Sequence, residues 1–543
     1  MPITSAPASL TTESAAVVGR GAIIFALLLL ALLLTHFPLL PLPYFWDEAG
    51  YYIPAARDLY LTGALIPHTT LTNAHPPLVM AYLAAAWKVF GYSPAVTRGA
   101  MLLVAAFTLL AVDRLARRVS NPAVALASVI NTALFPVFFS QSAMAHLDMA
   151  AACLLLWGLY FDLAERRPPA IALFALACLA KETAILVPLS LFAWELICVV
   201  IGKRQSASLI AGFPDRPIAR SLSLMLATVP LCAWFAFHFA HTGHVFGNPE
   251  FFRYNLGSTL NPVRFLAAFA LRLWHLLGYM NMVLLTLAAA LAMFLEPRSD
   301  GDASRRQAIA PPVQAVFYLL ILVHLVALAI LGGAVLARYL LPVYPLVVIL
   351  CISTLRRRVP WWPAFVAIIC GGFLLALVTN PPYRFAPEDN LAWSDYVRLH
   401  QAADAFAAQR FPAGRVLTAW PASDELTRPW LGYVPQPVAI VRIDDFSTPQ
   451  VLAASDARTH FRGALVFSTK YEPRNLLRIP GWERLQERFF GYHRDLPPEL
   501  VARILGARIV FQQQRRQQWV AVLEIDSIQN VRLRREIAAA DTR

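Results

Sequence analysis

Seven charged or titratable side chains stand beside the ends of apolar segments, where they could carry chemistry. They are Asp47, Glu48, His75, Asp148, Lys181, Arg253 and Arg338. Two carboxylates at the end of a hydrophobic span are costly if they face lipid, so the Asp47-Glu48 pair indicates a site. A carboxylate can act as a general base or a metal ligand, and Lys, Arg and His can neutralise a phosphate. Together these groups suit transfer from a lipid phosphate: a base deprotonates an acceptor hydroxyl, and cations stabilise the departing phosphate.

The elements that must position these residues are hydrophobic. The chain has 543 residues, of which 58% are hydrophobic and 15% are charged, whereas soluble chains carry roughly 25% charged residues. This composition predicts a polytopic membrane protein. Basic residues cluster between apolar runs, for example at Arg114–Arg118 and Arg356–Arg358, as in cytoplasmic loops under the positive-inside rule. We therefore expect membrane lipids and no nucleic acid as partners, despite the net charge of +13.

The apolar runs predict about eleven transmembrane helices with every basic cluster on one side. The predicted spans are 21–42, 96–113, 122–140, one that ends at Glu165, 169–180, 184–201, 221–240, 274–295, 313–334, 339–355 and 361–379. We expect a cytoplasmic tail at 1–20, a plasma (inner) membrane domain at 21–380 with outer loops 44–94 and 241–272, and an extracytoplasmic domain at 381–543. The stretch 76–90 is either an interfacial helix or a further span.

The chain after residue 380 has a soluble composition. A helical pattern covers 391–410, and short strand-like runs follow at 415–419, 438–443, 464–468, 508–511 and 519–525. This alternation predicts a small α/β domain. It contains no G-x-G-x-x-G or Walker motif, so we expect it to cap or shape the outer face of the membrane domain.

The order and content of the motifs resemble the GT-C superfamily of polytopic glycosyltransferases. The similar branch is the family 39-like group, related to dolichyl-phosphate-mannose–protein mannosyltransferases and aminoarabinose lipid A transferases. The matching motifs are Trp46-Asp47-Glu48-Ala49, His75-Pro76-Pro77-Leu78, Leu115-Ala116-Arg117-Arg118, His146-Leu147-Asp148, Leu179-Ala180-Lys181-Glu182-Thr183 and Arg338-Tyr339-Leu340-Leu341-Pro342. The resemblance covers about residues 20–355 and implies a GT-C fold.

The resemblance implies an inverting sugar transfer from an undecaprenyl- or dolichyl-phosphate donor to a lipid, glycan or protein hydroxyl. It implies Asp47 as the catalytic carboxylate with Glu48 beside it, and Asp148 as the second acidic position. The hypothesis assigns donor phosphate binding to the basic side chains His75, Lys181, Arg253 and Arg338. Some relatives use a divalent metal, which is left open here, with Asp47 and Asp148 as candidate ligands.

The aminoarabinose transferases carry an acidic-basic pair before Pro-Pro, and this chain has Ala74-His75 instead. This departure argues against both a lipid A aminoarabinose assignment and a metal site like theirs. A transporter or lipid-linked-sugar flippase without bond chemistry is the alternative, although it predicts polar residues at mid-span and a repeat between halves, and neither is present in the sequence. A scaffold whose outer domain binds a partner is the third hypothesis. The sugar and the acceptor stay open, with specificity expected in 241–272 and the outer domain.

Overall fold

Long apolar helices dominate the protein up to residue 380. The computed structural model describes residues 8–200, 221–253, 259–300, 304–473 and 481–525. Within this part of the chain, six helices are long and apolar enough to cross a membrane: Gly19–Leu39, Pro94–Val119, Glu182–Val200, Ser221–Thr242, Pro262–Ala292 and Pro311–Ile330. Four shorter apolar helices accompany them: Leu78–Phe90, Pro122–Leu134, Arg167–Ala180 and Trp362–Val378. The prediction of a polytopic helical fold is confirmed.

Proline and asparagine or serine caps define where several helices begin. Proline occupies the first turn of the helices at Pro94, Pro122 and Pro262, where its missing N–H costs nothing. The side chains of Ser93, Asn121 and Asn261 accept hydrogen bonds from the first backbone N–H groups. Several of the long spans combine an α-helix with an adjoining 3₁₀ turn or a second helix. Taken separately, the α-helices among the described residues up to 380 are Ala8–His36, Ile53–Thr62, Leu78–Phe90, Pro94–Val119, Pro122–Leu134, Pro136–Ser142, Leu147–Leu163, Arg167–Ala180, Leu186–Val200, Val229–Thr242, Pro249–Phe252, Pro262–Leu277, Met282–Ala292, Pro311–Ile330, Tyr344–Arg358 and Trp362–Val378.

The structure corrects the predicted segments at two places. The span 122–140 is interrupted at Phe135, which is extended because Pro136 follows it. The prediction of an outer loop at 241–272 is wrong beyond Asn261, because a helix begins at Pro262. Its polar and aromatic residues made this segment resemble a loop, but Arg264 and Arg272 are buried. They donate hydrogen bonds to backbone carbonyls of the segment 332–336.

The helix Leu78–Phe90 is short for a membrane span. It has 13 residues, which at ~1.5 Å per residue reach about 20 Å, short of the ~30 Å hydrocarbon core. This length favours the interfacial helix. The helix follows His75-Pro76-Pro77 directly and packs against the helix Ile53–Thr62.

The residues after 380 form a mixed five-stranded sheet with helices. Strands β1 (Ser299–Asp300) and β2 (Ser304–Arg305) form a separate short hairpin earlier in the chain. The sheet strands are β3 (Val416–Ala419), β4 (Ile440–Ile443), β5 (Gly463–Phe467), β6 (Ala507–Arg515) and β7 (Gln518–Ile525), in the order β4-β3-β5-β7-β6. Strand β3 pairs parallel with β4 and β5, whereas β7 pairs antiparallel with β5 and β6. The predicted α/β domain is confirmed, and its helices are Ala392–Arg410, Ala422–Thr427, Thr448–Asp456, Trp482–Phe490 and Pro498–Leu505.

This C-terminal domain packs directly on the first long loop. The rings of Phe45 and Trp46 contact Tyr396 at centroid distances of 5.2 and 5.6 Å, and Trp420 lies 5.2 Å from Trp46. Gly50 lies so close to Trp420 that a Cβ there would be 2.7 Å from the indole ring. The domain therefore fixes the position of the segment that contains Asp47.

Substitution of Gly50 by Ala tests this contact. The added methyl would overlap the Trp420 indole, and such overpacking costs about 1–3 kcal/mol. We expect Gly50→Ala to lower the apparent melting temperature of the detergent-purified protein by several degrees. The matched control is Gly99→Ala, a helical position with no atom within 4 Å of an added Cβ. Equal melting temperatures for the two variants would contradict the close packing.

Candidate active site

Local backbone geometry directs Asp47 and Glu48 in different directions. Trp46 adopts a φ of 43°, a conformation that L side chains rarely take. Asp47 then caps a five-residue π-helix, Glu48–Tyr52, which continues into the helix Ile53–Thr62. Such backbone features recur at functional sites because the surrounding structure must hold them in place. Here they place Asp47 on the wall of a cavity, while Glu48 lies in the protein interior.

Glu48 has a complete set of buried partners. It accepts hydrogen bonds from the backbone N–H of Phe45 at 2.8 Å and of Ala145 at 2.7 Å, and it pairs with Arg98 at 3.4 Å. Arg98 donates its other hydrogen bonds to three backbone carbonyls, those of Leu42, Pro43 and Ala143. Glu48 therefore joins the first loop to the turn before Leu147, and it does not line the cavity.

Arg338 connects the acidic residues of the site. It lies in a short 3₁₀ helix, Ala337–Leu340, and is buried. Its guanidinium contacts Asp47 through Nη2, Glu388 through Nη1 at 2.5 Å and Asp148 through Nε at 3.5 Å. The planar, permanently charged guanidinium can present nitrogens to several carboxylates at once, which an ammonium cannot do in a fixed geometry.

A neutral histidine packs against the same guanidinium. Nδ1 of His146 lies 2.7 Å from the side-chain oxygen of Gln141, and Nη1 of Arg338 lies 3.3 Å from Nε2. Burial, together with the nearby Arg338, holds the pKa of His146 well below its usual value. The neutral ring can donate from Nδ1 to Gln141 and accept from Arg338 at Nε2. His146 thereby helps to orient Arg338.

The Lys181-Glu182 dipeptide contributes to two different pairs. Nζ of Lys181 lies 2.5 Å from Asp148 Oδ1 and 4.0 Å from the ring centroid of Tyr339. Glu182 lies 3.0 Å from Nδ1 of His75. The residue before His75, Ala74, has a φ of 59°, so His75, like Asp47, follows a residue in the left-handed region. These two contacts bring the predicted residues of three separate segments together.

Arg253 lies apart from this group. It follows the four-residue helix Pro249–Phe252, is exposed and does not line the cavity. The neighbouring residues 254–258 lie outside the described residues. Its assignment to phosphate binding stays a prediction.

The cavity lies between the membrane domain and the C-terminal domain and encloses about 480 Å³. Asp47, His75 and Arg338 line it, whereas Asp148 and Lys181 lie behind Arg338 and Tyr339. The C-terminal part of the chain adds lining residues that the sequence patterns did not indicate: Phe385, Glu388, Trp420 and Lys470. These four residues come after the segments that carry the motifs. Only the folded structure shows that they line the same cavity as Asp47.

Acidic and basic side chains both surround Arg338. The acids are Asp47, Asp148, Glu388 and Asp389, and the cations besides Arg338 are Lys181 and Arg272. Burial raises the pKa of Glu388 to about 8 despite Arg338, and the neighbouring carboxylates add to the increase. Asp389 accepts a hydrogen bond from Tyr279 at 2.6 Å. Asp47 and Asp148, the two candidate metal ligands, each direct a carboxylate oxygen at Arg338. The positive group between these two carboxylates is therefore the Arg338 guanidinium.

Comparison with known proteins identifies related folds. Residues 74–212 match the family model described as dolichyl-phosphate-mannose-protein mannosyltransferase. The crystal structure of ArnT from Cupriavidus metallidurans bound to undecaprenyl phosphate is similar with a TM-score of 0.54 at 15% identity, covering 92% of this chain and 97% of that chain. Its apo state gives a TM-score of 0.52 at 15% identity, covering 93% and 98%. The crystal structure of the Archaeoglobus fulgidus oligosaccharyltransferase complex with Zn and sulfate gives a TM-score of 0.43 at 13% identity, and the match covers 82% of this chain and 68% of that chain. No curated protein matches this chain significantly.

The raised pKa of Glu388 predicts a pH dependence of stability. Between its ordinary value of 4.5 and about 8 the folded state binds more protons than the unfolded state, so the stability it contributes decreases as pH rises through this window. We expect Glu388→Gln, which keeps an oxygen for Arg338, to flatten the decline of the melting temperature over this range. The control is Glu499→Gln at an exposed position. If the melting temperature of Glu388→Gln declined with pH as steeply as that of the wild type, the prediction would be contradicted.

Proposed function

We propose that the chain is a membrane glycosyltransferase with the GT-C fold, and that it transfers a sugar from a polyprenyl-phosphate donor to an acceptor hydroxyl at the outer face of the membrane, with inversion. The observation that carries this proposal is the solvent exposure of Asp47, one of the three carboxylates that contact Arg338. The side chain of Asp47 is 19% exposed, against 3% for Asp148, 6% for Glu388 and 0% for Glu48. Asp47 is therefore the carboxylate best placed to meet an acceptor.

Asp47 acts as the general base in this proposal. It takes the proton of the acceptor hydroxyl as the oxygen bonds to the anomeric carbon of the sugar. The bond between that carbon and the phosphate oxygen breaks, and its electron pair stays on the phosphate. Arg338 holds Asp47 Oδ2, which fixes the carboxylate for this step. Since Arg338 is engaged by three carboxylates, we propose it as the positioning residue for Asp47 rather than as the main phosphate ligand.

The phosphate is proposed to bind between His75 and Lys470, which both line the cavity. His75 comes from the first loop and Lys470 from the C-terminal domain, where its Nζ donates to the backbone carbonyl of His493 at 3.0 Å. Cationic donors stabilise the charge that develops on a departing phosphate. Lys181 and Asp148 would support Arg338 from behind.

An apolar groove offers a place for the lipid part of the donor. It encloses about 500 Å³ and is lined by Leu78, Tyr82, Phe107, Trp157 and Leu173 among other apolar residues. Leu78 and Tyr82 belong to the helix that follows His75-Pro76-Pro77, so the groove begins next to the proposed phosphate site. The ArnT structure of similar fold contains undecaprenyl phosphate, which supports a polyprenyl chain as the occupant.

Substitutions of the two adjacent acids separate catalysis from positioning. Asp47→Asn removes the base, and we expect transfer to fall by a factor of about 10²–10⁴ with the melting temperature retained. Glu48→Gln replaces a buried acceptor that holds two backbone N–H groups and Arg98, so we expect a lower melting temperature and a smaller loss of turnover per folded molecule. The assay is transfer from a panel of labelled undecaprenyl-phosphate sugars in reconstituted vesicles.

Two outcomes would contradict this function. Full activity in both Asp47→Asn and Asp47→Ala would exclude Asp47 as the base. Movement of the labelled lipid across the vesicle membrane without any product would favour a flippase instead.

A bulky residue in the groove tests where the lipid lies. Leu173 lines the groove, and Leu176 on the same helix is exposed and does not line it. We expect Leu173→Trp to raise the KM for a long-chain polyprenyl donor about tenfold, equivalent to ~1.4 kcal/mol of binding, and to change the KM for a short-chain donor little. Leu176→Trp is the matched control. The same KM increase for both donors, or for both variants, would exclude the groove as the lipid site.

A further inference from the structure

Three metal-ligating side chains meet inside the C-terminal domain. His400 and Asp404 lie one turn apart on the helix Ala392–Arg410, and Glu425 lies on the short helix Ala422–Thr427 that follows β3. One ligand atom from each residue lies within 4.8 Å of the other two. The residues are 1%, 0% and 0% exposed. This cluster is separate from the cavity that contains Asp47, since none of the three lines it.

The cluster contains buried polar atoms without hydrogen-bond partners. Both side-chain oxygens of Asp404, Oε1 of Glu425 and Nε2 of His400 lack one within the described residues. Within the described residues, the hydrogen bond from a nitrogen donor joins His400 Nδ1 to Glu425 Oε2 at 2.6 Å, and the carboxyls of Asp404 and Glu425 are close enough to share a proton. Buried polar groups in native proteins are nearly always paired, because the loss of their hydrogen bonds to water is otherwise uncompensated. The absence of partners for Asp404 therefore points to a ligand.

The charges of the cluster identify the ligand class. No described Lys or Arg pairs with Asp404 or Glu425, so two acidic side chains share an interior site with a histidine. A divalent cation would balance two carboxylates, and imidazole and carboxylate are common ligands of first-row metals such as Zn²⁺ and Mn²⁺. We propose that His400, Asp404 and Glu425 bind one divalent transition-metal ion.

Only small side-chain movements are needed to form this site. Metal bonds of about 2.0–2.2 Å place the ligand atoms of a tetrahedral site about 3.5 Å apart. The ligand atoms of His400, Asp404 and Glu425 lie within 4.8 Å of one another, so each needs to move by about 1 Å or less. Rotation of the Asp404 carboxylate breaks no hydrogen bond from an N–H or hydroxyl donor of the described residues, because none reaches it. The hydroxyl of Tyr396 is also buried without a partner, and the ring of Tyr396 stacks on His400 at 3.9 Å.

The ion would support the loop that contains Asp47. It would join the helix that bears Tyr396 to the helix that follows Trp420, and the rings of these two residues contact Trp46 at 5.6 and 5.2 Å. The metal would touch neither donor nor acceptor in the proposed reaction. Its role is to hold the C-terminal domain in the arrangement that positions Trp46 and Asp47.

A proton is the competing occupant of the cluster. Burial raises the pKa of Asp404 and of Glu425 well above the usual carboxyl range, so without a cation the two acids would hold protons between them. The two occupants differ in their response to an amide. Asp404→Asn would keep the stability of a protonated pair, because the amide can donate as a carboxylic acid does, whereas it would weaken a metal site.

Metal analysis of the full-length protein in detergent tests the proposal. The sample is purified without chelators and its affinity tag is removed. We expect about one Zn or Mn per chain by mass spectrometry, retained in Asp47→Asn and lost in His400→Gln and Asp404→Asn. Retention of the metal in the last two variants would place it elsewhere and overturn the proposal.

Melting of the wild type covers the case in which these variants do not fold. Treatment with dipicolinate should lower the melting temperature, and added Zn²⁺ or Mn²⁺ should restore it, since a ligand that binds the folded state stabilises it. The same treatment of Asp47→Asn should give the same shift. Wild-type protein that contains no metal and shows no shift with either ion would overturn the proposal in favour of the protonated pair.

Discussion

The candidate active site depends on one buried guanidinium. Arg338 contacts Asp47, Asp148 and Glu388, which come from the first loop, from the start of a membrane-domain helix and from the segment that leads into the C-terminal domain. A buried charge is tolerated only when its partners compensate for the lost solvation. The cost of leaving Arg338 unpaired therefore favours a folded state in which all three segments meet. Removal of any one carboxylate changes the surroundings of the other two.

The C-terminal domain is part of the site rather than an attachment to it. Glu388 completes the contacts of Arg338, and Trp420 and Lys470 line the same cavity as Asp47. The close approach of Gly50 to Trp420 leaves no room for even one added carbon atom, so the loop and the domain must pack as a unit. Changes in this domain are therefore expected to reach the reacting groups through packing, although its strands and helices carry no recognisable catalytic motif.

The membrane fold and most of the candidate site could be predicted from the sequence because they rest on local signals. Apolar runs indicate helices, and the motifs at Asp47, His75, Asp148, Lys181 and Arg338 indicate a shared site whose members the structure brings together. The role of Glu48 could not be predicted, since adjacent residues of a loop can face opposite directions and a π-helix is not evident from the sequence. Glu388 and Lys470 were missed because nothing near them in the sequence marks them.

The helix that begins at Pro262, inside the predicted outer loop, could not be predicted from the sequence for a related reason. Charged residues such as Arg264 and Arg272 usually indicate a solvated segment, but here their guanidinium groups bind backbone carbonyls next to Arg338. These contacts hold the segment 332–336 that leads into the 3₁₀ helix of Arg338. The sequence shows the charges, but not the carbonyl groups that long-range packing provides for them.

The contacts of Arg338 then constrain how a donor can bind. Its Nε, Nη1 and Nη2 each face a carboxylate, so a phosphate that approached Arg338 would have to displace one of them. His75 and Lys470 line the same cavity, and Leu78 of the apolar groove follows His75 by three residues. A donor with its lipid in the groove and its phosphate at His75 would place its sugar in the cavity that Asp47 also lines. The carboxylates that occupy Arg338 would thus leave the phosphate to His75 and the acceptor to Asp47.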